Sequence, residues 1–334
     1  MTERKNALEQ WLRMNCGQEF VTLQPMPGDA SFRRYFRIHT KKGSFVVMDA
    51  EPPREDCRSY IAIANSLRHI GLHVPDIFYA EEEQGFLLIT DFGDVTYLKA
   101  LNNQNADQLY TIALHALVTL QTCQGVAEKP IPFFTSHFMW QEWQWCKEWF
   151  LGKWLDLSLG KEEKHLDDCY ALIVESAVSQ PQVFMHRDFH SANLMVLPHT
   201  QVGILDFQDA LIGPVTYDVV SLLRDCYIEW PDDLVREWVL EYWNQSCKAG
   251  IVQNVNQAVF LKWFDWMGIE RHLKVLFTFA RKHVRDGQSS YLKHIPQALN
   301  YLLHVSACYA ELAPLHRYFA HVVQPALQEA KVEA

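Results

Sequence analysis

Along the first ninety residues the apolar positions switch between helical and strand periods. Residues 1–16 (MTERKNALEQWLRMNC) place apolar side chains at helical spacing and read as an amphipathic helix. Phe20 to Leu23 and Tyr35 to Ile38 read as two strands joined by a turn through Pro25-Met-Pro-Gly-Asp-Ala-Ser31. Ser44 to Asp49 (SFVVMD) is a β-branched run and a third strand, broken by Glu51-Pro-Pro-Arg54. Asp56 to His69 is helical up to Gly71, and Ile77 to Ala80 and Phe86 to Thr90 give two more strands. Five strands with one helix after the third describe an α+β unit, not a repeated strand–helix–strand pattern. After a connector, Asp91-Phe92-Gly93-Asp94, the period becomes helical over Thr96 to Cys123, Ser136 to Leu157 and Lys161 to Ser179. Two short strands with a loop between them interrupt at 184–209. Helices are then expected over Pro214 to Glu229, Asp232 to Ala249, Asn256 to Arg285 and Ile295 to the end. The predicted fold class is α+β, with a small mixed lobe at 1–93 around a five-stranded antiparallel sheet and a large helical lobe at 94–334.

Composition narrows the classes of function. A chain of 334 residues with 49% hydrophobic content has enough apolar material for two sizeable cores. A net charge of −10 argues against nonspecific nucleic-acid or anionic-membrane binding, which requires a basic surface. The 8 cysteines form no Cys-x-x-Cys pair, so reduced, mostly buried thiols in a cytoplasmic protein are expected. The N-terminal helix lacks an apolar signal core, and no window offers the ~20 apolar residues that a membrane span needs. A monomer is expected.

The richest chemistry lies in Phe184-Met-His-Arg-Asp-Phe-His-Ser-Ala-Asn-Leu-Met195 and Ile204-Leu-Asp-Phe-Gln-Asp209. They place Asp188, Asn193 and Asp206 at the ends of short apolar runs. This order and spacing of Asp, Asn and Asp is that of a phosphoryl-transfer site. In such a site the first Asp takes the proton of an acceptor hydroxyl. The Asn and the second Asp hold magnesium on nucleotide phosphates, oxygen ligands that suit a hard cation. His186-x-x-x-His190 has metal-pair spacing, but no third ligand accompanies it, and His186 reads as a prop for the loop. His190 and Ser191 lie in the loop, where an acceptor would approach Asp188 or where they simply pack. Arg271 and Lys274, on the helix expected at 256–285, could pair with an acceptor carboxylate or belong to a solvated face. The tryptophans of the helical half read mainly as core.

On these residues the chain resembles the aminoglycoside phosphotransferase and choline kinase superfamily, with its protein-kinase-like fold. It is similar in particular to the bacterial kinases that phosphorylate N-acetylmuramate and N-acetylglucosamine at C1. That closer likeness rests on GDASFRRYFR (28–37), VVMDAEPPRED (46–56) and WMGIERHLKVLFTFARKHVRDG (266–287). The resemblance implies an ATP- and Mg²⁺-dependent enzyme with an amino-sugar acceptor. It implies Asp188 as base, Asn193 and Asp206 as magnesium ligands, and the 28–33 loop over the phosphates. It also implies Asp91, Phe92 and Gly93 as a hinge whose backbone meets adenine. An aminoglycoside, choline or homoserine acceptor, or a nucleotide-binding protein without turnover, stays open.

The chain departs from the kinase pattern in two places. The 28–33 loop has only Gly28 in place of Gly-x-Gly-x-x-Gly, leaving Ser31 and the backbone around Phe32 and Arg33 to cradle phosphate. The third strand has Met48 or Asp49 where a phosphate-binding lysine is expected. Arg33, Arg34 or Arg37 is then expected to supply the cation.

Overall fold

The computed structural model describes residues 2–16, 22–26, 33–126 and 130–332. The chain divides into two compact units. One comprises Met1–Leu101, Gly125–Pro130 and Ala192–Asp209; the other comprises Asn102–Gln124, Ile131–Ser191 and Ala210–Ala334.

The first unit is built on an antiparallel sheet of five strands in the order β1-β2-β3-β5-β4. These are β1 (Gln24–Pro25), β2 (Arg34–Thr40), β3 (Gly43–Asp49), β4 (Ile77–Glu81) and β5 (Phe86–Thr90). Strands β3 and β5 are central, so their Val, Leu and Ile side chains are buried on both faces. Helix α1 (Thr2–Cys16) covers one face, setting Leu8, Trp11 and Leu12 on Ile38, Val47, Phe86 and Leu88. Each of these fully buried side chains contributes about 1.5–3 kcal/mol. Arg4 of α1 and Arg34 of β2 converge on the buried carboxylate of Asp49 at 2.7 and 2.6 Å, fastening helix to sheet. Helix α2 (Cys57–His69) starts where the Asp56 carboxylate accepts the Arg58 N–H. Gly85 has φ +71°, and a Cβ there would lie 1.8 Å from the Ala50 carbonyl oxygen, so only glycine closes the turn into β5. A hairpin of Leu194–Leu197 and Gln201–Ile204 completes this unit.

The second unit is mainly helical: α4 (Ala106–Gln121), α5 (Ser136–Trp145), α6 (Glu163–Val178), α7 (Tyr217–Leu223), α8 (Asp232–Lys248), α9 (Gln257–Asp286), α10 (Ile295–Ala307), α11 (Ala313–Tyr318) and α12 (Gln324–Val332). The short helix α3 (Tyr97–Ala100) ends the first unit's opening segment. Helix α9 is the axis of this unit; its residues from Phe264 to Leu273 are buried whether apolar or charged. A two-stranded ladder, Gln182–Met185 with Leu211–Pro214, lies among the helices. Trp143 stacks on Tyr170 and donates its indole N–H to Asp167, a core role.

The sequence reading holds for the α+β class, the five-stranded antiparallel sheet and the helical second half. Several boundaries differ. Thr22 and Leu23, the described part of the first expected strand, are irregular, and pairing starts at Gln24; the rest of that strand lies outside the described residues. The helix expected over Thr96 to Cys123 is two helices. Asn105 takes the Asn102 N–H and Asn102 takes the Gln104 N–H on their side chains, which breaks the helical ladder. The two strands expected at 184–209 are four, paired as two ladders with the partner strand Leu211–Pro214 reaching past the motif. The helix expected from Pro214 to Glu229 spans only Tyr217–Leu223, because Arg224 and Asp225 turn out of it to make side-chain bonds. Pro314 starts a new helix inside the last expected one, where a proline removes a backbone donor.

Candidate functional site

The second unit holds the candidate base. Val183, Phe184 and Met185 anchor the strand that leads into the loop His186–Ser191. Buried Asp218, at the start of α7, accepts the N–H of His186 at 2.7 Å and of Arg187 at 2.9 Å. Arg187 adopts a left-handed φ of +77°, a conformation that costs free energy and that these two bonds hold in place. Burial pushes the Asp218 carboxyl up to about 6, against the opposing influence of His186 and the two N–H bonds. Asp225 fixes the far end of the loop by accepting from the Ser191 N–H at 3.0 Å and from its hydroxyl.

Between these braces, Asp188 Oδ1 receives Arg271 Nη2 at 3.3 Å and Lys274 Nζ at 3.4 Å, both from α9. Burial alone would raise the Asp188 carboxyl. The charges of Lys274 and Arg271, then His190 and Arg187, outweigh it and hold the group well below the usual carboxylate range. Asp188 is therefore ionised at neutral pH. Its side chain is 37% exposed, against 9% for Arg271, so the carboxylate is accessible while its clamp is not. Arg271 also donates to Ser221 Oγ at 2.7 Å, and Lys274 to the Tyr217 hydroxyl at 3.2 Å. Burial lowers His190, with Asp225 and Asp188 opposing, and its ring meets Tyr227 edge-on.

The first unit holds the candidate cation ligands. The hairpin at 194–204 places Asn193 and Leu205 side by side, with the Leu205 N–H donating to the Asn193 carbonyl at 3.0 Å. Asp206 follows with a left-handed φ of +62° and an exposed side chain. Gln208 donates to Asp206 Oδ1 at 2.7 Å and to Asp209 Oδ2 at 3.0 Å. Tyr60 of α2 packs on Phe207 with ring centroids 4.8 Å apart, which fixes the base of this turn. Among the described residues no cluster of three or more His, Cys, Asp or Glu could hold a metal by itself. One amide oxygen and one accessible carboxylate do fit a magnesium ion that takes its other ligands from phosphate and water.

The connector after β5 is tightly tied. Asp91 accepts from Arg37, from the Ser44 hydroxyl and from the Gly93 N–H. Together these outweigh the effect of burial and lower its carboxyl. Phe92 lies against Gly203 so closely that a Cβ there would sit 2.8 Å from the ring. The Asp91 carboxylate thus shapes the segment; the Gly93 N–H is taken by Asp91 and its carbonyl accepts from Arg37 at 3.2 Å, which leaves the backbone of Asp91 and Phe92 as the groups that could meet a base.

The structure therefore brings Asp188, His190, Ser191 and Arg271 into one network in the second unit. It brings Asn193, Asp206 and Arg33 into the first, Arg33 through Asp209. Ser31 and Phe32 lie outside the described residues. Sequence reasoning missed Ser221 and Tyr217 as supports of Arg271 and Lys274, and Asp225 as the holder of Ser191; only the three-dimensional fold brings these positions together.

Each unit carries part of the residue set expected of a phosphotransferase: the helical unit a braced, cation-clamped aspartate, the sheet unit Asn193 and the exposed Asp206. The chain belongs to the phosphotransferase enzyme family, whose model matches residues 22–253. It is 42% identical over 308 residues, 91% of this chain and 89% of the relative, to the N-acetylmuramate/N-acetylglucosamine kinase of Pseudomonas aeruginosa. It is 37% identical over 325 residues to the kinase of the same name from Neisseria meningitidis, covering 96% of each chain. Among solved structures it shares its fold with an ADP-bound aminoglycoside phosphotransferase, at TM-score 0.59 and 14% identity over 89% of this chain and 98% of that one. The choline kinase LicA of Streptococcus pneumoniae matches at TM-score 0.65 and 12% identity, covering 92% of this chain and 100% of that one.

Proposed function

We propose that this chain is an ATP- and Mg²⁺-dependent kinase that phosphorylates the anomeric hydroxyl of N-acetylmuramate and N-acetylglucosamine, in the cytoplasm, during reuse of cell-wall sugars. The observation that carries this reading is likeness to kinases of that name over nine-tenths of the chain.

In this reading Asp188 takes the proton of the C1 hydroxyl as its oxygen attacks the γ-phosphorus of ATP, and ADP leaves. An anomeric hydroxyl is more acidic than an ordinary alcohol, so a carboxylate suffices as base. Arg271 keeps Asp188 in place from its fixed bond to Ser221. Asn193 and Asp206 hold magnesium, which neutralises charge on the phosphates. The backbone at Asp91 and Phe92 receives the base, and His190 borders the acceptor; Ser191, fully buried with its N–H and hydroxyl both on Asp225, packs the loop instead. The test is ADP release with ATP and magnesium across N-acetylglucosamine, N-acetylmuramate, choline and an aminoglycoside, for the wild type and Asp188→Asn. Turnover of the two sugars alone, lost in the variant, is expected. Turnover of the aminoglycoside without the sugars, or of no acceptor by the wild type, would overturn the reading.

A further inference from the structure

In protein kinases a lysine on the third strand binds nucleotide phosphate and is held by a glutamate on the following helix. Here both partners are absent together. The strand position falls at Met48, fully buried opposite Tyr35 and Leu87, or at Asp49, bound by Arg4 and Arg34, and α2 (CRSYIAIANSLRH) contains no acidic residue. The helix turns Tyr60 inward instead, buried on Phe207 beside Asp206. An ion pair stands one step away. Arg33, immediately before β2, donates Nε to Glu55 Oε2 at 2.9 Å, two residues before α2 begins. Both side chains are mostly buried, at 11% and 16% exposure. Arg33 Nη2 reaches Asp209 at a longer 3.4 Å, and Asp209 is 61% exposed and follows Asp206 by three residues.

The neighbouring arginines are committed elsewhere. Arg34, one residue on, serves Asp49 together with Arg4 on the α1 side of the sheet. Arg37 serves Asp91 and Asp94 at the connector. Of the three, it is Arg33 that joins the start of α2 to the Asp206 segment.

We propose that the Arg33–Glu55 pair replaces the missing lysine–glutamate pair, with Glu55 holding the guanidinium by Nε while Nη2 exchanges Asp209 for a phosphate oxygen of the nucleotide. Arg33 is then a phosphate-binding residue and Glu55 a positioning residue. A guanidinium is suited to this because its donors point in fixed, separate directions, so one can stay on the carboxylate while another turns to phosphate. The inference rests on the nucleotide-dependent reading above but not on the acceptor.

Calorimetric titration with ATP, ADP and adenosine, without acceptor, tests it on Arg33→Ala, Arg33→Lys and Glu55→Gln. Arg33→Ala should weaken ATP and ADP by about 10- to 100-fold and adenosine by less than about threefold. Arg33→Lys should recover part of the loss. Glu55→Gln should fold, bind adenosine normally and show a smaller, phosphate-selective loss. Wild-type affinity for ATP in Arg33→Ala, or equal weakening of ATP and adenosine in folded Arg33→Lys and Glu55→Gln, would overturn the proposal. If none of the four sugars and amines is phosphorylated yet ATP binding depends on Arg33, the acceptor reading fails and this one stands. A wild type that binds no ATP overturns both.

Discussion

Replacing Asp188 by asparagine should destabilise the fold as well as stop the reaction, and the size of the first effect can be worked out. The substitution keeps the shape and removes one negative charge from Arg271 at 3.3 Å and Lys274 at 3.4 Å. At an effective dielectric near 20, each such pair is worth about 5 kcal/mol. Most of that is offset. Asp188 is 37% exposed, so water screens it, and its two cationic partners repel one another. A net loss of about 1–3 kcal/mol at neutral pH remains, because the variant leaves two buried cations facing a neutral amide. The pH dependence has a definite sign. The folded-state carboxyl lies below its unfolded value, so its stabilisation is fully present above pH about 4 and disappears as the pH falls through the lowered value. Urea unfolding at pH 5 and pH 8 should therefore show the same deficit for Asp188→Asn, narrowing only in stronger acid. In the same samples kcat should fall by about 10²- to 10⁴-fold while ATP affinity holds. An Asp188→Asn variant as stable as the wild type at pH 7, or more stable, would refute the claim that α9 clamps this carboxylate.

Other perturbations separate support from chemistry. Asp218→Asn retains one acceptor oxygen for two N–H groups, at His186 and Arg187, and should cost about 1–3 kcal/mol. Its kcat should fall with little change in the KM for ATP, as steady-state kinetics would show. Glu270 is buried beside Glu142, and burial, then that neighbour, raises its carboxyl well above the ordinary range. The native state thus binds the proton more tightly, and its stability is lost as pH rises from about 4.5 through the raised value. Glu270→Gln should then raise Tm at pH 8 by more than at pH 5, measured by thermal melts. Gly203→Ala puts a methyl group 2.8 Å from Phe92 and should cost about 1–3 kcal/mol in urea unfolding.

The sheet and the long helices were legible because their burial follows a simple period. Strand β3 reads as SFVVMD and is central, and α9 is apolar along most of its length. The breaks at Asn102, Arg224 and Pro314 were harder to place, because two of them depend on side chains choosing backbone or distant partners over the helical ladder. In the candidate site, Asp188, Asn193 and Asp206 stood out by spacing within one short stretch. Asp218 was legible as a brace of the loop, and its bonds to His186 and Arg187 bear that out, whereas Asp225 and Ser221 were not, since they lie 34 and 50 residues along the chain from the groups they hold. The sequence showed that a lysine was missing from the third strand. The absence of a glutamate from 57–69 is equally plain in the sequence, but it takes the fold to show Tyr60 packed in the interior and Arg33 meeting Glu55 nearby.

The most direct test of the whole account is the position of the new phosphate when the protein is incubated with ATP, magnesium and N-acetylglucosamine. Phosphorus–proton correlation NMR should show coupling to the C1 proton of the sugar, with loss of its reducing end and none of this in Asp188→Asn. Coupling to the C6 protons, or ATP consumed with the sugar unchanged, would contradict it.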